Sequence, residues 1–142
     1  MEVCIVKTEK ELEDAFYVRQ TVFVKEQHVP VEEEIDEFEK DSIHFVLYDN
    51  TKNPIGAGRY RTFDEYGKVE RICILSTNRK GGAGKAIMNK IEEYAINSGA
   101  PALKLNAQTH AIPFYSKLGY EVVSEEFLDA GIPHRTMQKK LS

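Results

Sequence analysis

The spacing of apolar positions changes several times along the chain, and each change marks a boundary between predicted elements. Alternating or continuous apolar runs, rich in β-branched and aromatic residues, predict strands at residues 3–7, 43–48, 55–63, 68–75, 102–106, 120–124 and 134–141. Apolar residues at helical spacing predict helices at residues 9–24, between Gly84 and Gly99, and at residues 111–118.

Turn and capping signals agree with this division. Thr8 and Glu11 have the spacing of a capping box at the start of the first helix. Residues 27–40 are interrupted by a proline and rich in acid, which predicts a loop with one helical turn near residues 31–38. The element order β-α-β-β-β-α-β-α-β-β is typical of one mixed sheet covered by helices. We therefore expect residues 1–142 to form a single α/β domain.

Composition and charge narrow the classes of function. The 142 residues carry a net charge of −4, which argues against a nucleic-acid partner because phosphate affinity needs clustered Lys and Arg. No apolar run approaches the ~20 residues of a membrane helix, so no membrane association is expected. The only cysteines, Cys4 and Cys73, are expected to be reduced thiols in a cytoplasmic protein. The four histidines lack metal-ligand spacing, and we expect no metal site.

A glycine-rich turn between a predicted strand and a predicted helix is the most informative stretch. Gly81, Gly82 and Gly84 allow a close approach of the backbone to a ligand, and the first amides of the helix lack partners within the chain. Together with the helix dipole and the cations Arg79 and Lys80, these amides predict a phosphate or diphosphate site. A simple tight turn with a capped helix is the alternative.

Two nucleotide-binding motifs can be tested against this turn, and both fail. A P-loop needs glycine five residues before its Gly-Lys pair and a hydroxyl residue after it, but Arg79 and Ala86 stand at those positions. A dinucleotide fingerprint needs a third glycine where Ile87 stands, and an acidic residue at the end of the next strand.

Two segments resemble motifs of the GNAT superfamily of N-acetyltransferases. Arg79-x-x-Gly82-x-Gly84 is similar to the acetyl-CoA signature Q/R-x-x-G-x-G/A, and residues 111–120, AIPFYSKLGY, are similar to the A-x-x-F-Y-x-x-x-G-F/Y segment. Both lie in the expected order on the expected elements. The resemblance implies a GNAT-like mixed, mostly antiparallel sheet flanked by helices. It also implies transfer of an acetyl group from acetyl-CoA to a primary amine.

The resemblance implies two kinds of contact with coenzyme A. The diphosphate would be held by the turn, beside Arg79, through the backbone amides of Lys80, Gly81, Gly82, Ala83, Gly84 and Lys85. The pantetheine arm would pair with backbone groups of Ile72 and Ile74, on a strand that diverges from its neighbour. Gln108 stands where the family often carries an asparagine that contacts pantetheine, so it is expected to bind the cofactor with a longer side chain.

Tyr115 and Glu70 are the expected catalytic residues. Tyr115 matches the tyrosine that protonates the departing thiolate, although its residue type alone also fits a half-buried core aromatic. Glu70 shares a face with Ile72 and Ile74 if the strand keeps a period of two, which would direct it toward the thioester. As a base for an ammonium it would need a water relay or a pKa raised by burial, and a cross-strand ion pair is the alternative role.

The acceptor is expected to be a small-molecule amine or an amino acid, bound between Glu26 and His134. The acidic run from Glu32 to Glu39 would favour a cationic acceptor, or would simply be a solvated face. A protein lysine or N-terminal acetyltransferase, and a non-catalytic acyl-CoA sensor, remain alternatives. A homodimer is compatible with the sequence.

Overall fold

The computed structural model describes all residues, 1–142, and contains one eight-stranded sheet. Its strands are β1 Glu2–Ile5, β2 Ile43–Tyr48, β3 Pro54–Phe63, β4 Tyr66–Ile74, β5 Ala102–Gln108, β6 Glu121–Val122, β7 Phe127–Asp129 and β8 Ile132–Lys140. The order across the sheet is β1-β2-β3-β4-β5-β8-β6, and β7 also pairs with β8. Every pairing is antiparallel except that between β4 and β5. The expected mixed, mostly antiparallel α/β fold is confirmed.

Four α-helices accompany the sheet: α1 Glu9–Arg19, α2 Val31–Glu34, α3 Ala83–Asn97 and α4 Ile112–Lys117. The expected capping box is present, since the Thr8 side chain accepts from the Glu11 amide and the Glu11 side chain accepts from the Thr8 amide. The first helix differs from its expected form, because after Arg19 it continues as a π-helix over Gln20–Glu26. Such wide turns are rare and frequently occur at functional sites.

The last strands also differ from expectation. Residues 120–124 contain only the short β6, and β7 was not expected from the sequence. β8 begins at Ile132, two residues earlier than the expected start. Both differences lie in a segment whose short hairpin gives little hydrophobic periodicity.

Two apolar clusters cover opposite faces of the sheet. On one face, Ile87, Met88 and Ile91 of α3 are fully buried against β2, β3 and β4. On the other face, Val18 of α1 packs against a smaller group that includes Cys73. The alternation of side chains along each strand divides the residues between these two clusters.

β4 and β5 diverge after a short parallel contact. Only Gly67–Val69 pair with Leu103–Leu105, whereas β4 continues to Ile74 and β5 to Gln108. The divergence predicted from the sequence is therefore present, and it opens the sheet at the carboxyl ends of the two strands.

A buried arginine ties the segment after the π-helix to α1. Arg19 is fully buried, and its Nε donates to Glu34 Oε1 at 2.6 Å. Its Nη1 and Nη2 donate to the two carboxylate oxygens of Glu39 at 2.9 and 2.7 Å. These bonds hold the pKa of Glu39 at about 2, below its ordinary 4.5, although burial alone would raise it. The acidic segment is therefore partly packed into the structure through Glu34 and Glu39, while Glu32, Glu33 and Glu37 are exposed to solvent.

No helix combines the length and the apolar character needed to cross a membrane.

A methyl group at Gly67 tests the packing where β4 meets β5. An added Cβ would overlap the Tyr60 ring and lie 2.7 Å from Leu103 Cδ2. We expect Gly67→Ala to lower the free energy of unfolding by about 1–3 kcal/mol, because the Tyr60 ring has no free space to move into. Urea denaturation measures the change. Gly81→Ala is the matched control, since nothing lies within 4 Å of its added Cβ, and an equal loss there would contradict the packing argument.

The Glu39 carboxylate makes the stability depend on pH. Because its folded pKa is lowered to about 2, its contribution is present above the ordinary pKa of 4.5 and is lost as the pH falls from 4.5 to 2. We expect Glu39→Gln to cost about 1.5–3 kcal/mol at pH 7. The variant should also lose less stability than the parent over the acidic window. Urea denaturation at a series of pH values measures both effects. The exposed Glu37, changed to Gln, is the control and should follow the parent curve.

Candidate functional site

A cleft of about 890 Å³ occupies the space where β4 and β5 diverge. Its walls come from the π-helix, the carboxyl ends of both strands, the turn before α3, and α4. The expected site residues that line it are Glu26, Glu70, Ile72, Ile74, Arg79, Lys80, Gly82, Gly84, Lys85, Gln108, Tyr115 and His134. Gly81 and Ala83 do not line the cleft, and the Ala83 side chain is fully buried. Only the backbone of these two residues can take part.

The turn before α3 presents backbone donors to this cleft. Gly82 has a φ of 81°, a conformation that costs a residue with a side chain, and it precedes the helix without a side-chain cap. The first intrahelical amide to find a partner is that of Ala86, which donates to Gly82 at 3.0 Å. The preceding amides are therefore available for an anion, with the positive end of a 15-residue helix behind them. Gly84 has a second role, because an added Cβ would lie 3.0 Å from the Phe114 ring.

The open edge of β4 carries backbone groups that face the cleft. Leu75 donates to Ile55 of β3 at 2.9 Å, so the alternation of an antiparallel pair directs the peptide groups of Ile74 away from β3. The same alternation applies to Ile72. The structure changes one detail of the expectation, since the Ile74 carbonyl already accepts from Arg79 Nε at 3.0 Å. The Ile74 amide remains available.

Arg79 and Glu26 bind each other across the mouth of the cleft. The two terminal nitrogens of Arg79 donate to the two oxygens of Glu26, both at 2.7 Å. This pair lowers the pKa of Glu26 and raises that of Arg79. From the sequence, Arg79 was expected to bind the cofactor and Glu26 was expected to bind the acceptor. In the structure they form one ion pair that joins the π-helix to the turn before α3.

Gln108 is held by a second bridge across the cleft. Its Nε2 donates to Gln27 Oε1 at 2.9 Å, and its Oε1 lies 2.7 Å from His110 Nε2. Gln27, directly after the π-helix, was not identified from the sequence. Its partner lies 81 residues away, and no local pattern reveals a contact at that separation.

Tyr115 lines the cleft although most of its ring is in the core. The residue is 7% exposed and makes edge-to-face contacts with Phe114 and Tyr120, at centroid distances of 4.9 and 5.9 Å. Its hydroxyl has no partner within the protein and is not among the buried unpaired atoms, so it reaches the cleft. Burial raises the pKa of Tyr115 above its ordinary 10.0. At neutral pH the phenol therefore keeps its proton and can act as a donor.

The expectation for the face of Glu70 is wrong because β4 contains a bulge. Arg59 pairs with Glu70 but Ala57 pairs with Cys73, so β4 has one more residue than β3 in this interval. The extra residue breaks the period of two. Ile72 and Ile74 pack against the α3 cluster, whereas Glu70 lies on the other face with Arg59.

The expectation of a raised pKa at Glu70 is also wrong. Its Oε1 accepts from Arg59 Nη2 at 2.9 Å and from Arg61 Nε at 2.8 Å. Burial alone would raise the pKa of Glu70, but these donors lower it below 4.5. Glu70 therefore stays ionised. Its second oxygen, Oε2, lies 3.7 Å from Lys68 Nζ and has no hydrogen-bond donor.

Arginines neutralise three acids of the segment, Glu34, Asp36 and Glu39. Glu32, Glu33 and Glu37 are exposed and form no ion pair, so only this part of the segment can act as the expected field for cations. Arg59 is fully buried and donates to both oxygens of Asp36 at 2.8 and 2.9 Å. It also lies 3.0 Å from Glu39 Oε2, and Arg71 Nη2 donates to Asp36 at 3.2 Å. These arginines were not identified from the sequence. The sequence offers one signal for these partners, which is opposite charge: the segment is acidic, whereas β3 carries Arg59 and β4 carries Arg71.

His134 lies at the expected wall of the cleft. It is opposite Gln108 in the β5–β8 register and stacks on Phe127 at 6.0 Å. Its Nδ1 lies 2.6 Å from the carbonyl of Ile132 and therefore carries the hydrogen. Nε2 has no partner within the chain and is left as an acceptor.

Comparison with known proteins agrees with this geometry. The family model of the acetyltransferase (GNAT) domain matches residues 6–141. The uncharacterized N-acetyltransferase YjcF of Bacillus subtilis (strain 168) is 59% identical over 140 residues, which cover 98% of this chain and 99% of YjcF.

Solved structures share the fold. An acyl-CoA N-acyltransferase from Pseudomonas aeruginosa superposes with a TM-score of 0.86 at 23% identity, over 98% of this chain and 99% of that one. An aminoglycoside 6'-N-acetyltransferase complexed with coenzyme A superposes with a TM-score of 0.79 at 14% identity, over 100% of this chain and 98% of that one. The match of the family model over nearly the whole chain and the similarity to YjcF show that this chain belongs to the GNAT family of N-acetyltransferases.

Proposed function

We propose that the protein transfers the acetyl group of acetyl-CoA to the primary amine of a small molecule, in the cytoplasm. One observation carries the proposal: free helix amides, an unpaired strand edge and a protonated tyrosine face the same cleft. A diphosphate, an amide-containing arm and a thiol leaving group are the chemical parts that such a cleft complements. A coenzyme A complex of a structural neighbour supports the same donor.

The donor would be held along the wall formed by β4 and the turn. The diphosphate would accept from the amides of residues 80–85, and Lys80 and Lys85 add positive charge at the cleft. The pantetheine amides would extend the open edge of β4 at Ile72 and Ile74, as an added strand does. Full occupation of that edge would require Arg79 to leave the Ile74 carbonyl. Gln108 has a free hydrogen on Nε2 for a carbonyl of the arm, since only one of its two Nε2 hydrogens is donated, to Gln27 Oε1.

Transfer then needs attack by the amine, stabilisation of the negative oxygen and departure of the sulfur, all at the end of this wall. The amine nitrogen bonds to the acetyl carbonyl carbon, and the C–S bond breaks as the amide forms. If the arm pairs with Ile72 and with the Ile74 carbonyl, the Ile74 amide is left to donate to the oxygen that becomes negative in the transition state. The Tyr115 hydroxyl donates to the departing sulfur and stabilises its charge. A phenol with a raised pKa is a weaker acid than a thiol near pKa 8.5. Full transfer of the phenol proton to the sulfur is therefore uphill, and Tyr115 contributes through the hydrogen bond that it donates.

The acceptor must lose a proton before or during attack. An alkylammonium has a pKa near 10.4, and Glu70 with its lowered pKa is a weak base. Its free oxygen Oε2 can still hold a water or the ammonium itself. We therefore assign Glu70 to the water relay and not to a carboxyl of raised pKa. Glu26 and His134 lie on the walls that an acceptor would contact, and His134 Nε2 is an available acceptor of hydrogen bonds.

Calorimetric titration tests the donor half of the proposal. We expect coenzyme A to bind at least about 100-fold more tightly than pantetheine, because pantetheine lacks the diphosphate and each charge-assisted hydrogen bond contributes about 1.5–3 kcal/mol. Equal affinity would contradict the assignment of the turn.

Thiol release from acetyl-CoA with small amines then tests transfer. Binding without release would favour an acyl-CoA sensor, and release only with peptides would favour a protein acetyltransferase.

Tyr115→Phe tests the leaving-group role. We expect kcat to fall by about 10²–10⁴-fold because the donor to the sulfur is lost. The dissociation constant for coenzyme A should stay within a few-fold, since the ring packing is kept. The exposed Tyr17, changed to Phe, is the control and should leave both quantities unchanged. An unchanged kcat for the Tyr115 variant would remove the residue from the mechanism.

A further inference from the structure

Arg71 has a backbone conformation that sets it apart within the sheet. Six residues other than glycine have a positive φ, and Arg71, at 61°, is the only one of them inside a strand. The others lie in turns or in the loop after the π-helix. Strained residues in strands persist where the surrounding structure holds them, and they concentrate at functional sites. The bulge that causes the strain lies between Glu70 and Cys73, and both residues line the cleft.

The guanidinium of Arg71 is fixed on one side and open on the other. Nε and Nη2 both donate to the Glu34 carbonyl, at 3.2 and 3.1 Å. Nη2 also reaches the Glu33 carbonyl at 3.3 Å and the Asp36 carboxylate at 3.2 Å. Nη1 has no partner within the protein, and it is not among the buried unpaired atoms. With its side chain 22% exposed and lining the cleft, Arg71 offers a preorganised pair of N–H donors to a ligand.

The charges that remain free near Arg71 have both signs. Lys68 lines the cleft with its side chain 25% exposed and lies 3.7 Å from Glu70. Glu33 and Asp129 also line the cleft, are exposed, and form no ion pair within the chain. Glu34, Asp36 and Glu39 of the acidic segment are instead occupied by arginines. A purely cationic acceptor would meet Arg71 and Lys68, whereas a ligand with both charges would meet complementary groups.

We propose that the acceptor is an amino acid, with a free amine and a carboxylate in one small molecule, and that Arg71 Nη1 binds the carboxylate. This inference rests on the proposed function, because it names the acceptor class of the same cleft. The carboxylate would be the anchor, and the exposed acids would attract the ammonium before it loses its proton. Anchoring at the residue next to Ile72 keeps the amine close to the edge along which the thioester would lie.

Matched pairs of amines test this acceptor class on the unaltered protein. Glycine with glycinamide, and β-alanine with β-alaninamide, differ only in the carboxylate, and the rates are expressed per neutral amine to remove the difference in amine pKa. We expect kcat/KM to be about 10- to 100-fold higher for the acids, as the loss of one hydrogen bond to a charged group implies. Equal values, or higher values for the amides, overturn the inference.

Substitution at Arg71 tests the named contact. We expect Arg71→Gln to raise KM for the acids by about 10- to 100-fold while KM for the amides changes little. Arg71→Lys should restore part of the preference. Lys68→Gln is the matched control for a general electrostatic effect, and it should change the preference by only about two- to three-fold because its charge is partly exposed. A preference lost equally in both Gln variants would overturn the assignment to Arg71.

The outcomes separate this inference from the proposed function. Failure of coenzyme A to bind would contradict the proposed function. Binding of coenzyme A without turnover of any amino acid would overturn the acceptor class and leave the donor site in place. Thermal melting of each variant shows whether its fold is intact, and the matched pairs need no variant.

Discussion

Beyond Val69, β4 has no neighbour on its β5 side, so the peptide groups along that edge need other partners. An unpaired edge within a sheet is a template for any extended chain that offers amides at the right spacing. Here Arg79 satisfies one group, the Ile74 carbonyl, and the rest face the cleft. A ligand with its own amide groups completes the sheet better than water or a side chain does. The separation of the two strands therefore determines where the amide-containing arm of the proposed donor would lie.

Buried arginines form the second constraint, because they decide what the acidic segment can do. Arg19 and Arg59 are both fully buried, and each is held by more than one carboxylate. Burying a charge is costly unless it is paired and hydrogen-bonded. The two arginines and the carboxylates thus stabilise one another, and removing either side leaves an uncompensated charge. The arginines therefore neutralise Glu34, Asp36 and Glu39, while Glu32, Glu33 and Glu37 keep their charges exposed.

The elements that form the proposed donor site could be predicted from the sequence because their signals are local. A strand, a glycine turn and an amphipathic helix are adjacent in the chain, and their residues point to a diphosphate site without knowledge of the rest. The divergence of β4 and β5 also followed from the resemblance. The face of Glu70 could not be predicted, because counting by two assumes a regular strand and one inserted residue at Arg71 reverses it. The pairs Arg79–Glu26 and Gln27–Gln108 join distant segments, so only the folded chain brings them together.

The bulge at Arg71 links the two halves of the cleft. A positive φ at a residue with a side chain costs about 1–3 kcal/mol, and the four hydrogen bonds from Arg71 to residues 33–36 offset it. The bulge directs Glu70 and Arg71 toward the acidic segment while Ile72 and Ile74 keep the register that leaves their peptide groups at the open edge. A regular strand would lose one of these arrangements, since shifting the register by one residue turns every following side chain to the opposite face. One extra residue therefore lets a single strand form the proposed donor wall with its backbone and the proposed acceptor wall with its side chains.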